Sequence, residues 1–352
     1  MHKVRSPWLS SPRKEIAVIL LPLFLPVIFV LVFQEYFNTH QQVTSGWWLV
    51  LVLMVDVSHV YSTLFRFYWE KDTFQKHRTL LLIIPVFAFS VGVFVHWWDS
   101  FLFWRLLAYI AVYHFVRQQF GFIRLYSRYE KRHAIDKWID AVAVYNATLY
   151  PLLYWHIHLT DKLSWFVSND LVSLSLGWFQ PVLFPLFILI ALIYIVKEMY
   201  YSWKEQTLNI PKNSIMMGTY LSWYVGIVLF NGDLTFTLLN VVAHGIPYMG
   251  LIWMYGEKKA KGRFQFGMKG VAIFCAVIFF LAYVEETFWD VLVWKDHTNL
   301  FPFFTYRQLI SNEIVMSIVV ALLVLPQITH YVVDGFIWKF SKDSSARIDG
   351  KT

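Results

Sequence analysis

The chain has 352 residues, 58% hydrophobic and 20% aromatic, with 15% charged residues, a formal net charge of +7 and a mean hydropathy of +0.50. A soluble chain carries about a quarter charged residues, so this composition excludes an ordinary globular protein and predicts a polytopic membrane protein. Basic residues fall between the apolar runs, which excludes nucleic acid as a partner, and the lone cysteine, Cys275, excludes an internal disulfide or a cysteine metal site.

Ten apolar runs are predicted as transmembrane helices of a single all-α bundle. They fall at about 15–33, 45–66, 79–97, 101–124, 137–158, 179–200, 214–231, 233–255, 270–294 and 312–338, each near the ~20 residues that cross a bilayer. Lys3, Arg5, Arg13 and Lys14 precede the first run, and no small-residue cleavage site follows Phe33, so it reads as an uncleaved anchor. The second run holds "VDVSHVYSTLFR", with Asp56 and His59 at i, i+3 and Thr63 a turn later. The next stretch, "RFYWEKDTFQKHR", is predicted as a short amphipathic helix at the inner surface. The third run is nearly free of polar residues. The fourth holds "YHFVRQQFGF", with His114, Arg117, Gln118 and Gln119, and the fifth holds Asn146, Tyr150 and an outer "WHIH".

Residues 159–178 form the longest outside segment, expected to fold over the outer face. The eighth run carries "LNVVAHGIPYMG", placing Asn240, His244 and Tyr248 on one helix face. Glu285, Glu286 and Asp290 close the ninth run and are expected to face water. The tenth, "LPQITHYVVDGFIWK", carries Gln327, His330 and Asp334 at i, i+3 and i+7. Aromatic clusters at the span ends, such as "SGWWLV" and "VHWWDS", read as an interfacial belt.

Charge tests the count. With the N-terminus inside, 25 of the 30 Lys and Arg fall in inner segments and only Lys162, Lys295 and Arg307 in outer loops. This bias predicts both termini in the cytoplasm.

At ~1.5 Å per residue, His59 lies about 10 Å from the inner edge, His330 about 13 Å, His114 about 15 Å and His244 about 20 Å. All four spans run inward, so the imidazoles are predicted to share one layer. Neutral imidazoles are the commonest protein ligands for transition metals, and a ligating ring is usually held by a carboxylate or carbonyl. Asp56 beside His59 and Asp334 beside His330 suit that role. Gln118, Asn146 and Asn240 suit supporting or water-holding positions, and Tyr248 completes the candidate catalytic set. Two rivals stand beside this reading. Interhelical hydrogen bonding would use the same histidines, and Asp56 or Asp334 could pair with Arg117. At the level of function, a transporter would use the Asp, His and Arg cluster for proton coupling or solute binding, whereas bis-histidine haem would need pairs at two depths.

Four segments, "DVSHVYS", "YHFVRQQ", "AHGIPY" and "VLPQITHYVVDG", resemble motifs of the Brp/Blh family of bacterial membrane carotene dioxygenases. The likeness covers only these pieces, spread over most of the chain. Here Asp-x-x-His stands for the family's His-Gly-x-x-Asp-His, and His330 stands four residues after Pro326. The resemblance implies a non-haem iron (Fe2+) held by His59, His114, His244 and His330 in a bacterial inner (plasma) membrane. It also implies an oxygenase acting on a carotenoid, isoprenoid or fatty substrate.

Overall fold

A computed structural model describes residues 6–159, 165–259, 268–302 and 310–340. Among them every regular element is helical. Ten rods follow one another in the predicted order. They are α1 (Pro12–Val32), α2 (Ser45–Tyr68), α3 (Lys71–Trp98), α4 (Ser100–Tyr126), α5 (Ala134–Ile157), α6 (Gln180–Glu205) and α7 (Ile210–Trp223, continued by Tyr224–Leu229). After these come α8 (Asp233–Lys259), α9 (Met268–Trp289, continued by Asp290–Trp294) and a bent last rod, α10 (Glu313–Leu323) with α11 (Leu325–Phe340). Six of the described helices are long and apolar enough to cross a membrane, or seven if the bent pair is one span. That is fewer than the ten predicted, because several of the predicted runs carry enough polar side chains to lower their mean hydropathy below that of a spanning helix. In α4 these are His114, Arg117, Gln118 and Gln119.

Local chemistry sets the ends and breaks. Ser11 accepts from the Lys14 amide and Pro12 opens α1, a favoured pairing of cap and first residue. Asn312 caps α10 through the amides of Ile314 and Val315. The last rod bends by 42° between Leu323 and Leu325, just before Pro326, which has no N–H for the preceding turn. In α2, Leu49–Val57 winds in wider i→i+5 turns immediately before His59. The predicted surface helix at 66–78 is in part correct: Lys71 opens α3, whose first turns end at a kink at His77 (φ −116°, ψ 18°).

The chain forms two compact units, one of Met1–Gln42 with Val112–Pro247, the other of Val43–Ala111 with Tyr248–Thr352. In the first, α5 packs on α6 and α7, and α1 on α7. Gly218 permits that last contact, since a Cβ there would stand 2.7 Å from Leu23 Cβ. In the second, α10 and α11 pack on α3, α11 also on α2, and α9 on α2. Two of the three unit boundaries fall within α4 and α8, and the third between Gln42 and Val43, ahead of α2. Burial separates central from peripheral helices. Only 11% of the apolar windows of α3 and α6 is buried, against 78% for α8. The first, third and sixth runs, poorest in polar residues, are expected from sequence to face outward; α3 and α6 do, whereas α1 has 39% of its window buried, more than the 22% of α9.

Candidate metal centre

Within each unit two imidazoles lie together. On α4 and α8, His114 and His244 lie edge to face with ring centroids 4.8 Å apart, and Phe115 stacks on His244 at 3.9 Å. On α2 and α11, His59 and His330 lie edge to face, also at 4.8 Å. One candidate ligand nitrogen from each of the four rings lies within 4.8 Å of all the others, and all four residues are buried. Two nitrogens bound at ~2.1 Å to one ion stand at most about 4.2 Å apart. The observed spacing is close to that limit, and the four-histidine group could hold a metal ion.

The backbone around His244 explains its placement. Pro247 cannot donate to the Ala243 carbonyl four residues earlier, leaving that acceptor without its helical partner. Gln119 Nε2 supplies a donor to Ala243 O at 3.4 Å, and Gln118 Nε2 donates to His244 O at 2.8 Å. Successive glutamines of α4 thus fasten the weakened turn of α8 that carries the histidine. Gln118 is fully buried, and its Oε1 has no hydrogen-bond partner among the described residues. A buried unsatisfied carbonyl costs about 1–3 kcal/mol, so this atom is a ready acceptor near His114, one turn away.

In the other unit, Thr63 Oγ1 lies 2.7 Å from His330 Nδ1 and 3.2 Å from the Tyr248 hydroxyl. The Tyr248 ring meets both His330 (4.9 Å) and His59 (5.9 Å) edge on. Asp56 Oδ1 lies 3.7 Å from His59 Nδ1, beyond hydrogen-bond length but close enough to act on the ring. Asp334 is buried, and Gln327 is hydrogen-bonded to Tyr331.

Several sequence expectations are corrected. Among the described residues Arg117 pairs with no acid; it donates to the Tyr145 hydroxyl at 2.8 Å and covers Phe120. Asn146 supports no metal ligand, because its amide braces α5 against Phe187 O and Tyr220 Oη. Asn240 turns its amide to its own helix, at Phe236 O. Glu285 and Asp290 face protein rather than water: Glu285 accepts from Tyr61 and Trp289, and Asp290 is buried. His156, placed by sequence in the outer belt, is buried as well, with Nδ1 on Leu152 O. The outer segment, of which residues 165–178 are described, does fold inward. Asp170 accepts from the amides of Trp165, Phe166 and Val167, holding Trp165 against Phe115 and Phe236.

Sequence reasoning also missed a buried ionic network. Lys212, fully buried, meets Glu130 at 2.9 Å, Glu198 at 2.7 Å and Asp140 at 3.9 Å. Lys197 pairs with Asp140 and with Glu198. Both lysines had been counted as solvated orientation charges. The sequence signals were Asp140, an acid one turn inside the fifth apolar run, and Lys197 and Glu198 near the end of the sixth.

The arrangement defines a class, a helical protein with a buried all-histidine metal-site candidate. Compared with family models, curated proteins and solved structures, the chain matches none.

Proposed function

We propose that the chain is a ten-span membrane metalloenzyme with cytoplasmic termini, in which His59, His114, His244 and His330 hold a non-haem iron used to oxygenate a lipid-soluble substrate. The convergence of four buried imidazoles carries this reading. Four neutral nitrogen donors suit iron, copper or zinc better than calcium or magnesium, and the sequence resemblance to carotene dioxygenases selects iron among them. Bound ferrous iron would supply the activation of dioxygen.

The protein's part is to orient and to keep water out. Thr63 fixes the rotation of the His330 ring, so its other nitrogen, Nε2, is the one turned to ligation. Gln118 holds the backbone at His244. Asp56 sits where it favours proton retention on His59 Nδ1 and ligation through the opposite nitrogen. The Tyr248 hydroxyl, tied to Thr63, is a proton donor beside the His59–His330 pair. Phe115 and Trp165 add an apolar wall beside His244.

Elemental analysis of detergent-purified protein tests the reading. The expected result is about one iron per chain, lost in His59→Ala/His330→Ala, with conversion of a carotene to a shorter aldehyde under oxygen. Stoichiometric zinc would keep the metal site and remove the oxygenase. Well-folded protein without metal, showing pH-dependent solute uptake, would favour the transporter instead.

A further inference from the structure

Arg66 stands in the last turn of α2 with its charge unanswered. The residue is 6% exposed, and its Nη1 is buried with no hydrogen-bond partner among the described residues. A guanidinium stays ionised in proteins and carries five N–H donors, so burying one without an anion is costly. Its flat face is occupied, since Cζ lies 3.1 Å from the centre of the Tyr255 ring on α8. That cation–π contact leaves the N–H edge, where a planar acid binds through two parallel hydrogen bonds.

The neighbouring acid is committed elsewhere. Glu70, one turn on, acts on Arg66 through space. Its carboxylate, however, caps α3, accepting from the amides of Asp72 and Thr73 and from the Thr73 hydroxyl. Tyr248 also acts on Arg66 through space, and its hydroxyl is tied to Thr63. A full positive charge and a vacant donor edge therefore fall on one buried side chain.

Position selects the ligand. Arg66 ends the second apolar run, at the level where lipid headgroups lie. A phosphodiester is flanked by glycerol on one side and an alcohol on the other, too bulky for a side chain so little exposed. A fatty acid presents a terminal, planar group with one negative charge, which matches the fork of a single guanidinium.

We propose that Arg66 anchors the carboxylate of a bound fatty acid, with the acyl chain in the hydrocarbon layer. The site rests on Arg66, Tyr255 and Glu70 and needs no metal at the four-histidine group.

The full-length protein in detergent is titrated with cis-parinaric acid and with its methyl ester, read by energy transfer from the tryptophans. The acid should bind roughly 10- to 100-fold more tightly than the ester, the worth of hydrogen bonds to a charged group, with or without a metal chelator. Arg66→Met should abolish that preference, and Arg66→Lys, which keeps the charge and loses the fork, should fall between. Added fatty acid should raise the melting temperature of the wild type but not of Arg66→Met. Equal affinity for acid and ester in the wild type, a comparison that needs no variant, would overturn the proposal. So would an undiminished preference in a folded Arg66→Met protein. Displacement of the probe by inorganic phosphate at equal concentration would make the ligand a free anion, and stronger displacement by phosphatidylglycerol would make it a phospholipid; either result defeats the fatty-acid assignment.

Discussion

Thr63→Val isolates the support of one imidazole without touching a ligand. Thr63 is buried, and its hydroxyl bridges His330 Nδ1 at 2.7 Å and the Tyr248 hydroxyl at 3.2 Å. Valine keeps the branched shape and removes only the oxygen. Losing a neutral hydrogen bond costs about 0.5–1.5 kcal/mol, and a buried partner left unsatisfied costs about 1–3 kcal/mol. At about 1.4 kcal/mol per tenfold, metal affinity should fall roughly 2- to 150-fold, centred near tenfold. Loss of an outer partner of a metal-bound histidine typically costs ~10–100-fold. Cobalt(II) serves as a visible probe in competition with a chelator, read by its ligand-field bands. His330→Ala should abolish tight binding, and Thr63→Val should lie between it and wild type. Unchanged affinity in Thr63→Val beside a disabled His330→Ala would show that the Thr63 bond does not orient the ligand. Unchanged affinity in both would remove His330 from the site.

Lys212→Met strands three carboxylates, and breaking a buried pair from one side costs about 3–5 kcal/mol. The melting temperature, followed by dye labelling of the single, half-buried Cys275, should drop sharply, and adding Glu198→Gln should recover part of the loss. Strict additivity of the two changes would mean the charges are effectively solvated. Gly218→Ala forces a Cβ to 2.7 Å from Leu23 and should destabilise the α1–α7 contact by about 1–3 kcal/mol, seen in the same melt; no shift would mean α1 moves freely. Trp165→Ala opens the wall over Phe115 and should speed metal loss to a membrane-impermeant chelator severalfold. An unchanged rate would place the access path elsewhere. Gln118→Leu should lower metal affinity, because the His244 carbonyl loses its 2.8 Å donor, and an affinity equal to wild type would limit Gln118 to packing.

Much of the candidate site was legible in the chain because depth along a helix is a one-dimensional quantity. A rise of ~1.5 Å per residue, counted from charged ends, sufficed to place His59, His114, His244 and His330 in one layer. The run of apolar residues, broken by charge, likewise pointed to an all-helical order and marked α1, α3 and α6 as outward helices, correctly for α3 and α6 but not for α1. Rotation about each axis and the choice of neighbour are different quantities. They depend on packing between segments far apart in sequence, and no local pattern encodes them.

That is why Arg117 was free, on sequence, to pair with either aspartate, and why its hydrogen bond to Tyr145 emerged only from the fold. It is also why Lys197 and Lys212, ordinary interfacial cations to a reader of the chain, proved buried among Asp140, Glu130 and Glu198. The amino-acid sequence alone determined which helices form and where along each its polar groups lie. Tertiary packing decided which of those groups meet, because the cost of burying a charge or an imidazole is recovered only by a partner that another helix brings.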